Sequence, residues 1–180
     1  MVIPMFMRTN SENSNIFYRN PNAVAAIRGN REYPEMYGEV KFFRVPMGTV
    51  VTAELFGLPD DGKMCAGNVY AFHIHEFGEC TGNMEDAFAN AGMHFDMNDC
   101  PHPAHTGDMP PLFAFHGYAW TAFYTERFTP DMVVGRSVII HSKPDDFATQ
   151  PSGDSGMKIG CGVIEIPSWN NGRPIAPPMR

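Results

Sequence analysis

Short runs of apolar and polar residues, rich in β-branched and aromatic side chains, divide most of this chain into predicted β-strands. The first four runs close at Gly or Pro, at a spacing close to that of antiparallel meanders. This pattern predicts a β-sandwich or flattened barrel with little helix. The runs are AVAAIRG, GEVKFFRVPMG, GTVVTAELFGL, NVYAFHIHEFG, FAFHGYAWTAFYTERF, RSVIIHS and CGVIEI.

Two polar segments interrupt the strands and predict long loops. Residues 78–112 are rich in Gly and Pro and show no sustained alternation, which predicts a loop of some 35 residues. A structureless loop of that length is uncommon in a compact domain unless something functional orders it. The segment KPDDFATQPSGDSGMKIG predicts a second loop. We expect the chemistry of the protein to lie in these loops.

The length of the chain predicts one domain, because 180 residues and 20.0 kDa suffice for one hydrophobic core and not for two full-sized ones. Residues 1–20 are polar and Asn-rich without a period, which predicts a flexible N-terminal arm. Residues 21–168 form the predicted domain, and residues 169–180 are expected to be an irregular, Pro-rich tail.

The charge of the chain limits its partners. A formal net charge of −7 argues against nucleic acid and against an anionic membrane, since both require a basic face. No window approaches the roughly 18 apolar residues of a membrane span. The start MVIPMFMRTN lacks the basic and apolar regions of an export signal, so the sequence predicts a cytoplasmic protein, with a periplasmic or extracellular location as the alternative.

Two histidines in the run AFHIHEFGEC are the first sign of a metal site. Residues i and i+2 of a strand point to the same face, so His73 and His75 project together and can chelate one ion. The alternative is a pair of partly exposed strand histidines, because H-x-H alone is a weak motif.

The long loop adds three imidazoles and a carboxylate within fifteen residues, in HFDMNDCPHPAHTGD: His94, His102, His105 and Asp108. The prolines and the glycine in this stretch argue against a helix, so these groups would converge from a loop. Three nitrogens and one oxygen are a typical zinc set, and a metal would order a loop of low apolar content. The alternative is a solvated loop with chance histidines.

The remaining histidines and the cysteines are ambiguous when each is taken alone. His141 ends an apolar strand and opens the second loop, and a single histidine there is more often structural than a ligand. His116 is expected to be structural. The four cysteines permit three fully paired connectivities, or they serve as free thiols or metal ligands. They are Cys65, Cys80, Cys100 and Cys161.

Five spaced motifs of the chain occur in the sequence in this order: FHIHEFG, GMHF, HPAHTGD, GRSVIIHSKPDD and CGVIE. They agree with the motifs of the copper/zinc superoxide dismutase family. The chain resembles this family over about residues 37–166. The fold class is accordingly all-β, a Greek-key β-sandwich or flattened barrel of immunoglobulin-like type with two long functional loops. The resemblance implies one copper and one zinc per chain. The implied copper ligands are His73, His75, His94 and His141. The implied zinc ligands are His94, His102, His105 and Asp108, with His94 bridging the two metals.

The resemblance also assigns residues around the metals. Asp145 would accept hydrogen bonds from His73 and His102, although without the family Asp145 and Asp146 read as a solvated acidic pair in a turn. Cys80 and Cys161 would form the family's intrasubunit disulfide. Cys65 and Cys100 are additional: they could pair, remain free thiols, or in the case of Cys100 compete for zinc. They lie outside the family's pattern.

Three departures from the family concern the site. Lys158 stands where the family has an arginine, three residues before the last cysteine, and would attract and loosely position an anionic substrate; the alternative is an ordinary exposed lysine. The family usually reads H-F-N-P where this chain has HFDM. His102 and His105 are closer in sequence than in most members, so we expect a tighter zinc loop than usual or a different position of His105.

The implied activity is disproportionation of superoxide to oxygen and hydrogen peroxide by alternation between Cu(II) and Cu(I), with His94 and Lys158 as catalytic residues. One alternative is a copper-binding or metal-buffering protein with little turnover, and another is a zinc hydrolase, which lacks an obvious general base. Superoxide is the implied small anionic partner, and a homodimer and a copper-delivery partner are further expectations.

Overall fold

Antiparallel β-strands form almost all of the regular structure in the computed structural model, which describes residues 16, 19–60, 62, 68–170 and 173–175. Nine strands build the main sheet, and a short 3-10 helix (Ala89–Ala91) and a single-turn helix α1 (Pro130–Val133) lie in the connections. The strands are β1 (Ala23–Gly29), β2 (Tyr37–Val45), β3 (Gly48–Phe56), β4 (Val69–Tyr70), β5 (Phe72–His75), β6 (Leu112–Phe115), β7 (Tyr118–Thr125), β8 (Ser137–His141) and β9 (Lys158–Glu165).

The sheet closes into a flattened barrel because its two edge strands, β4 and β5, are consecutive in the chain. The strand order is β4-β6-β7-β3-β2-β1-β9-β8-β5, and only Ala71 separates β4 from β5. Strand β4 pairs with β6, whereas Ala71 already continues the pairing of β5 with β8, since its N–H donates to Lys143 O and its carbonyl accepts from His141 N–H. The predicted all-β sandwich or flattened barrel is confirmed, as is the predominance of antiparallel pairing.

The core lies between the two halves of the barrel and follows the alternation predicted from the sequence. In β1 the burial pattern alternates strictly through the first five residues, so Ala23, Ala25 and Ile27 face inward. One contiguous cluster of buried side chains fills the interior, including Phe42, Phe72, Phe128, Ile74 and Ile164.

The long loop (residues 76–111) is ordered by backbone pairing along the free edge of β5. Phe95 N–H donates to Ile74 O at 2.8 Å, Ile74 N–H donates to Gly107 O at 2.9 Å, and Gly107 N–H donates to Phe95 O at 2.7 Å. The ring of Phe95 is buried beneath the Arg136 guanidinium, whose Cζ lies 3.4 Å from the ring centroid. The loop therefore covers the face of β5 that carries His73 and His75, and both histidines are buried.

The C-terminal tail differs from the sequence prediction. Strands β10 (Ser168–Asn170) and β11 (Arg173–Ile175) pair as an antiparallel hairpin, so the expectation of an irregular tail is wrong for these residues. The sequence between them is Asn-Gly, the dipeptide that most favours two-residue hairpin turns, so the pairing of β10 with β11 has a local sequence signal. The predicted N-terminal arm, residues 1–20, lies almost entirely outside the described residues. Neither helix of the described residues is long and apolar enough to cross a membrane.

A disulfide between Cys80 and Cys161 joins the long loop to β9, which confirms the predicted pair. The bond spans 81 residues of sequence, so it restricts a large part of the unfolded chain. Cys161 packs with Phe88 and Ala91 in a small satellite cluster, which holds the 3-10 helix of the loop against the sheet.

We predict that replacing both Cys80 and Cys161 with Ala lowers the free energy of unfolding by about 4 kcal/mol, the loop-closure entropy of such a span. Urea denaturation of the metal-free protein measures the change. Cys100→Ser is the matched control, because Cys100 is a free thiol in the structure. A denaturation midpoint unchanged in the double variant would contradict the prediction.

Candidate metal centre

Four histidines from two strands and the long loop converge to form the first group of potential metal ligands. One ring nitrogen from each lies within 4.8 Å of the others, and all four residues are buried. His73 and His75 lie together on β5, as the two-residue alternation of a strand predicts. Strand β8 pairs with β5, so His141 lies beside them. The members are His73, His75, His94 and His141.

Backbone and side-chain acceptors fix which nitrogen of each imidazole faces the centre of this group. His75 Nδ1 lies 2.9 Å from Gly92 O, so we assign the proton to Nδ1, which leaves the lone pair of Nε2 facing inward. His141 Nδ1 likewise contacts Gly156 O at 3.4 Å and Ser155 Oγ at 3.2 Å. The two inward nitrogens, His75 Nε2 and His141 Nε2, are 3.3 Å apart.

The second group consists of His94, His102, His105 and Asp108, whose ligand atoms also lie within 4.8 Å of one another. Asp108 is at the centre of this group. Its Oδ1 is 2.8 Å from His94 Nδ1, and its Oδ2 is 3.1 Å from His102 Nδ1 and 3.3 Å from His105 Nδ1. The short spacing between His102 and His105 therefore does not prevent the two rings from reaching one site.

Buried nitrogens without hydrogen-bond partners show that both groups suit metal ions. Among the described residues, His73 Nδ1, His94 Nε2, His102 Nδ1 and His105 Nδ1 are buried and make no hydrogen bond. A buried polar atom without a partner is costly, and native proteins rarely leave several in one place. Two of these atoms face the first group and two face the second, so a cation in each group would satisfy all four. The donor types, imidazole and carboxylate, fit copper and zinc.

His94 belongs to both groups and separates them by the width of one imidazole ring. Its Nδ1 contacts Asp108, while its Nε2 belongs to the group formed with His73, His75 and His141. Its position is fixed by the loop pairing on β5, because His75 and His94 are bridge partners and Phe95 is anchored in the core.

The carboxylate of Asp145, from the second loop (residues 142–157), connects the two groups, because it accepts a hydrogen bond from one imidazole of each. Its Oδ2 accepts from His73 Nε2 at 2.8 Å, and its Oδ1 accepts from His102 Nε2 at 2.9 Å, which are the two contacts expected from the family resemblance. Burial alone would raise the pKa of Asp145, but the hydrogen bonds from His73, Phe147 N–H and His102 hold it well below its usual range. The carboxylate is therefore ionised and orients both rings.

Three residues that sequence reasoning missed hold the loops in place. Asp96 accepts hydrogen bonds from Cys100 N–H and from both the N–H and hydroxyl of Thr106, and although burial opposes the change, these bonds lower the pKa of Asp96 to about 2. Gln150 exchanges two hydrogen bonds with the backbone of His102. The only feature of the sequence that pointed to Asp96 was the replacement of the family's usual H-F-N-P by HFDM.

Gly153 packs directly against Asp145 and is the third such residue. A Cβ at this position would lie 2.0 Å from Asp145 Oδ1 and 2.8 Å from His102 Nε2, and the residue has a φ of +70°. No side chain fits there, because it would displace the carboxylate that orients both rings.

The two groups differ in their access to solvent. A cleft of about 1320 Å³, which we call the histidine cleft, is lined by His75, His94 and His141, whereas His102, His105 and Asp108 are not among its lining residues. Lys158 also lines the cleft; its ammonium group donates to Asp86 Oδ2 at 2.8 Å and to Phe88 O at 3.3 Å. A small molecule can therefore reach the first group, while the loop covers the second.

Burial keeps the imidazoles of His75, His94 and His141 neutral and ready to bind a cation. Burial is the main cause that lowers the pKa of His94 to about 4, and the neighbouring imidazoles add to it while Asp108 opposes it. Burial, followed by the neighbouring imidazoles, also holds the pKa of His75 and of His141 well below the usual value. Metal binding at these positions does not have to displace protons near neutral pH.

The two remaining cysteines and His116 lie apart from these groups or outside the described residues. Cys100 is a free thiol whose Sγ contacts Asn98 O at 3.9 Å, and it is not a member of either ligand group. Cys65 lies outside the described residues, but the second disulfide considered from the sequence is not formed, because Cys100 is a free thiol. His116 is exposed on the turn between β6 and β7, near Asp60.

These features define a class of protein, a β-sandwich with two adjoining metal pockets that share a single histidine. Comparison with known proteins gives the family. The profile of "Copper/zinc superoxide dismutase (SODC)" matches residues 36–164, and the chain belongs to this family.

Relatives of known name agree with that assignment. The chain is 33% identical over 146 residues to "Superoxide dismutase [Cu-Zn]" of Deinococcus radiodurans, covering 71% of this chain and 76% of that protein. It is 30% identical over 147 residues to "Superoxide dismutase [Cu-Zn] 2" of Aquifex aeolicus, covering 72% and 80%. The solved Cu/Zn superoxide dismutase from Brucella abortus shares the fold, with a TM-score of 0.66 at 24% identity, covering 79% of this chain and 99% of that one.

We predict that the metal-free protein loses stability as the pH falls from about 6.5 to about 4, by roughly 3 kcal/mol for His94. Over this range the unfolded chain binds a proton at this residue and the folded chain does not, so acidification favours unfolding. Urea denaturation at several pH values measures the effect. In His94→Asn the free energy of unfolding should change less with pH. A free energy of unfolding that stays the same between about pH 6.5 and about pH 4 in the unchanged protein would contradict the prediction.

Proposed function

We propose that this protein is a superoxide dismutase that binds one copper and one zinc ion. The observation that carries the proposal is the sharing of His94 between two ligand groups, one open to the histidine cleft and one largely covered by the loop. Family membership supports the activity, and the implied substrate is superoxide, a small anion.

We assign the open group to copper and the closed group to zinc. Four imidazoles suit copper, whereas three imidazoles and a carboxylate suit zinc. The proposed copper ligands are His73 Nδ1 and the Nε2 atoms of His75, His94 and His141. The proposed zinc ligands are the Nδ1 atoms of His94, His102 and His105 together with the Asp108 carboxylate.

Copper in the open group would supply the one-electron change between Cu(II) and Cu(I), and the residues of this chain would supply the rest. His94 lines the cleft, and its buried Nε2, when it is not a ligand, can hold a proton and release it toward a bound anion. Its Nδ1 stays directed at Asp108, so the ring keeps its orientation when Nε2 gains or loses that proton. Peroxide requires protons as well as electrons, so this position suits the reaction.

Lys158 is proposed to attract the anion to the cleft. The charges that line the cleft balance, with three basic and three acidic residues, whereas the whole chain carries −7. An anion therefore meets a weaker repulsion here than over the chain as a whole. The ion pair with Asp86 holds the Lys158 ammonium in place and also offsets part of its charge.

The test of the proposed activity is pulse radiolysis of superoxide on protein loaded with both metals, together with the metal content per chain. We expect cyanide-sensitive turnover and about one equivalent of each metal. His102→Ala should lower zinc content more than copper content. Stoichiometric copper binding without turnover would instead support a copper-buffering protein on the same scaffold.

Assembly, copper delivery and location are further proposals. A homodimer is supported by the aromatic side chains that β6 exposes, Phe113 and Phe115, and sedimentation velocity of Phe113→Ser/Phe115→Ser tests it. A copper-delivery partner remains an expectation from the family.

The disulfide favours the periplasmic or extracellular alternative over the cytoplasm, since such bonds persist in oxidising compartments. Cell fractionation distinguishes these locations.

We predict that Asp145→Asn weakens metal binding by about 10- to 100-fold, as the loss of an orienting acceptor does at other metal sites. An amide offers one acceptor oxygen, whereas His73 and His102 both donate to the native carboxylate. Competition with a chelator measures the affinity. Asp146→Asn is the matched control, because Asp146 is exposed and its side chain bonds only to Ala148 and Thr149 of its own turn; equal losses in the two variants would contradict the orienting role.

We also predict that Lys158→Glu lowers the rate with superoxide by about tenfold and weakens its salt dependence, while Asp86→Asn raises the rate about two- to threefold. The pair Lys41–Glu39, at 2.8 Å on β2 and outside the cleft lining, is the matched control. Lys41→Glu and Glu39→Gln change the net charge equally and should leave the rate almost unchanged. Equal effects at both pairs would show that only net charge matters.

A further inference from the structure

Exposed methionines are concentrated around the entrance to the proposed copper group. Among the described residues, five methionines are exposed, and three of them line the histidine cleft. Met84 is 92% exposed, Met157 56% and Met93 52%. Exposed side chains of this size are unfavourable in water, so three of them in one cleft require an explanation.

Backbone contacts place each of the three next to a residue of the site. Met93 directly precedes His94, and its backbone exchanges hydrogen bonds with Glu76, at 2.9 Å to the carboxylate and 3.0 Å from the amide. Met157 directly precedes Lys158 and exchanges two hydrogen bonds with Ser142, which follows the ligand His141.

Met84 belongs to the turn that carries Asp86, the partner of Lys158. Asn83 holds this turn, since its side chain accepts from the backbone N–H groups of Glu85 and Asp86 and its own N–H donates to Asp86 O. Backbone hydrogen bonds thus hold all three segments in place, and all three exposed methionines line the same cleft.

A thioether is a soft ligand that selects Cu(I), whereas the imidazoles below bind either valence of copper. We propose that Met84, Met93 and Met157 form a docking site for Cu(I), which captures the ion at the entrance and passes it to the histidine group. This inference rests on the proposed copper site. The charges of the cleft lining do not repel a monovalent cation, because its basic and acidic residues are equal in number: Arg31, Lys143, Lys158, Glu32, Glu85 and Asp86.

The test is the anaerobic transfer of Cu(I) from a coloured chelator to zinc-loaded, copper-free protein, followed by the loss of chelator absorbance. In the variant Met84→Leu/Met93→Leu/Met157→Leu, we expect transfer at least about tenfold slower, because leucine keeps the size and lacks the sulfur donor. The final copper content should equal that of the unchanged protein.

Met47→Leu is the matched control, because Met47 is 61% exposed but lies on the turn between β2 and β3 and does not line the cleft. It should transfer copper at the unchanged rate. Equal rates in the triple variant and the unchanged protein would overturn the docking site while leaving the copper site intact. Failure of the unchanged protein to take up copper would instead refute the copper site itself.

A second measurement separates docking from a general effect on the fold. With His73, His75, His94 and His141 all replaced by Ala, the protein should still bind about one equivalent of Cu(I) weakly, through the methionines alone. Adding the three leucine substitutions should abolish that residual binding. Residual binding that survives these substitutions would overturn the proposal.

Discussion

The carboxylate of Asp145 is the interaction on which the rest of the site depends. It comes from the second loop, and it binds His73 of strand β5 with one oxygen and His102 of the long loop with the other. Three separate parts of the chain therefore meet at one buried charge. Because both partners are imidazoles, the carboxylate also fixes which of their nitrogens is free to face a metal.

The loops depend on such polar contacts because they bury little apolar surface of their own. Phe95 anchors the long loop in the main core, and the disulfide with Phe88 and Ala91 anchors its other half. Between these anchors the loop is held by Asp96 and by hydrogen bonds along β5. Several buried nitrogens remain without partners, so metal binding and ordering of the loop are expected to be coupled.

The sequence predicted the strands, the barrel and the pairing of His73 with His75, because two-residue alternation is a local property of the chain. It also marked the long loop as functional, since so long a segment needs something to order it. The convergence of His141 and the role of Asp145 came only from the family resemblance, because those contacts join residues that are 66 and 72 positions away in sequence from their partners on β5.

Other contributors could not be predicted, since they act through tertiary positions. Gly153 matters because Asp145 happens to lie against its α-carbon, and Gln150 because the backbone of His102 lies beside it. The hairpin near the C-terminus was missed for a different reason. Its Asn-Gly signal is local, but the prolines in the same segment favour irregular structure, so the two local signals conflict.

The unequal covering of the two groups follows from how one loop is attached to one strand. The loop pairs with β5 at residues 93–95 and 107–108, so the residues between those contacts, including His102 and His105, fold over their own ligand group and cover most of it. His94 lies at the first contact and has one nitrogen on each side of that cover. A reaction with a small anion needs an open redox site beside a site that stays ordered, and this attachment provides both with a single histidine between them.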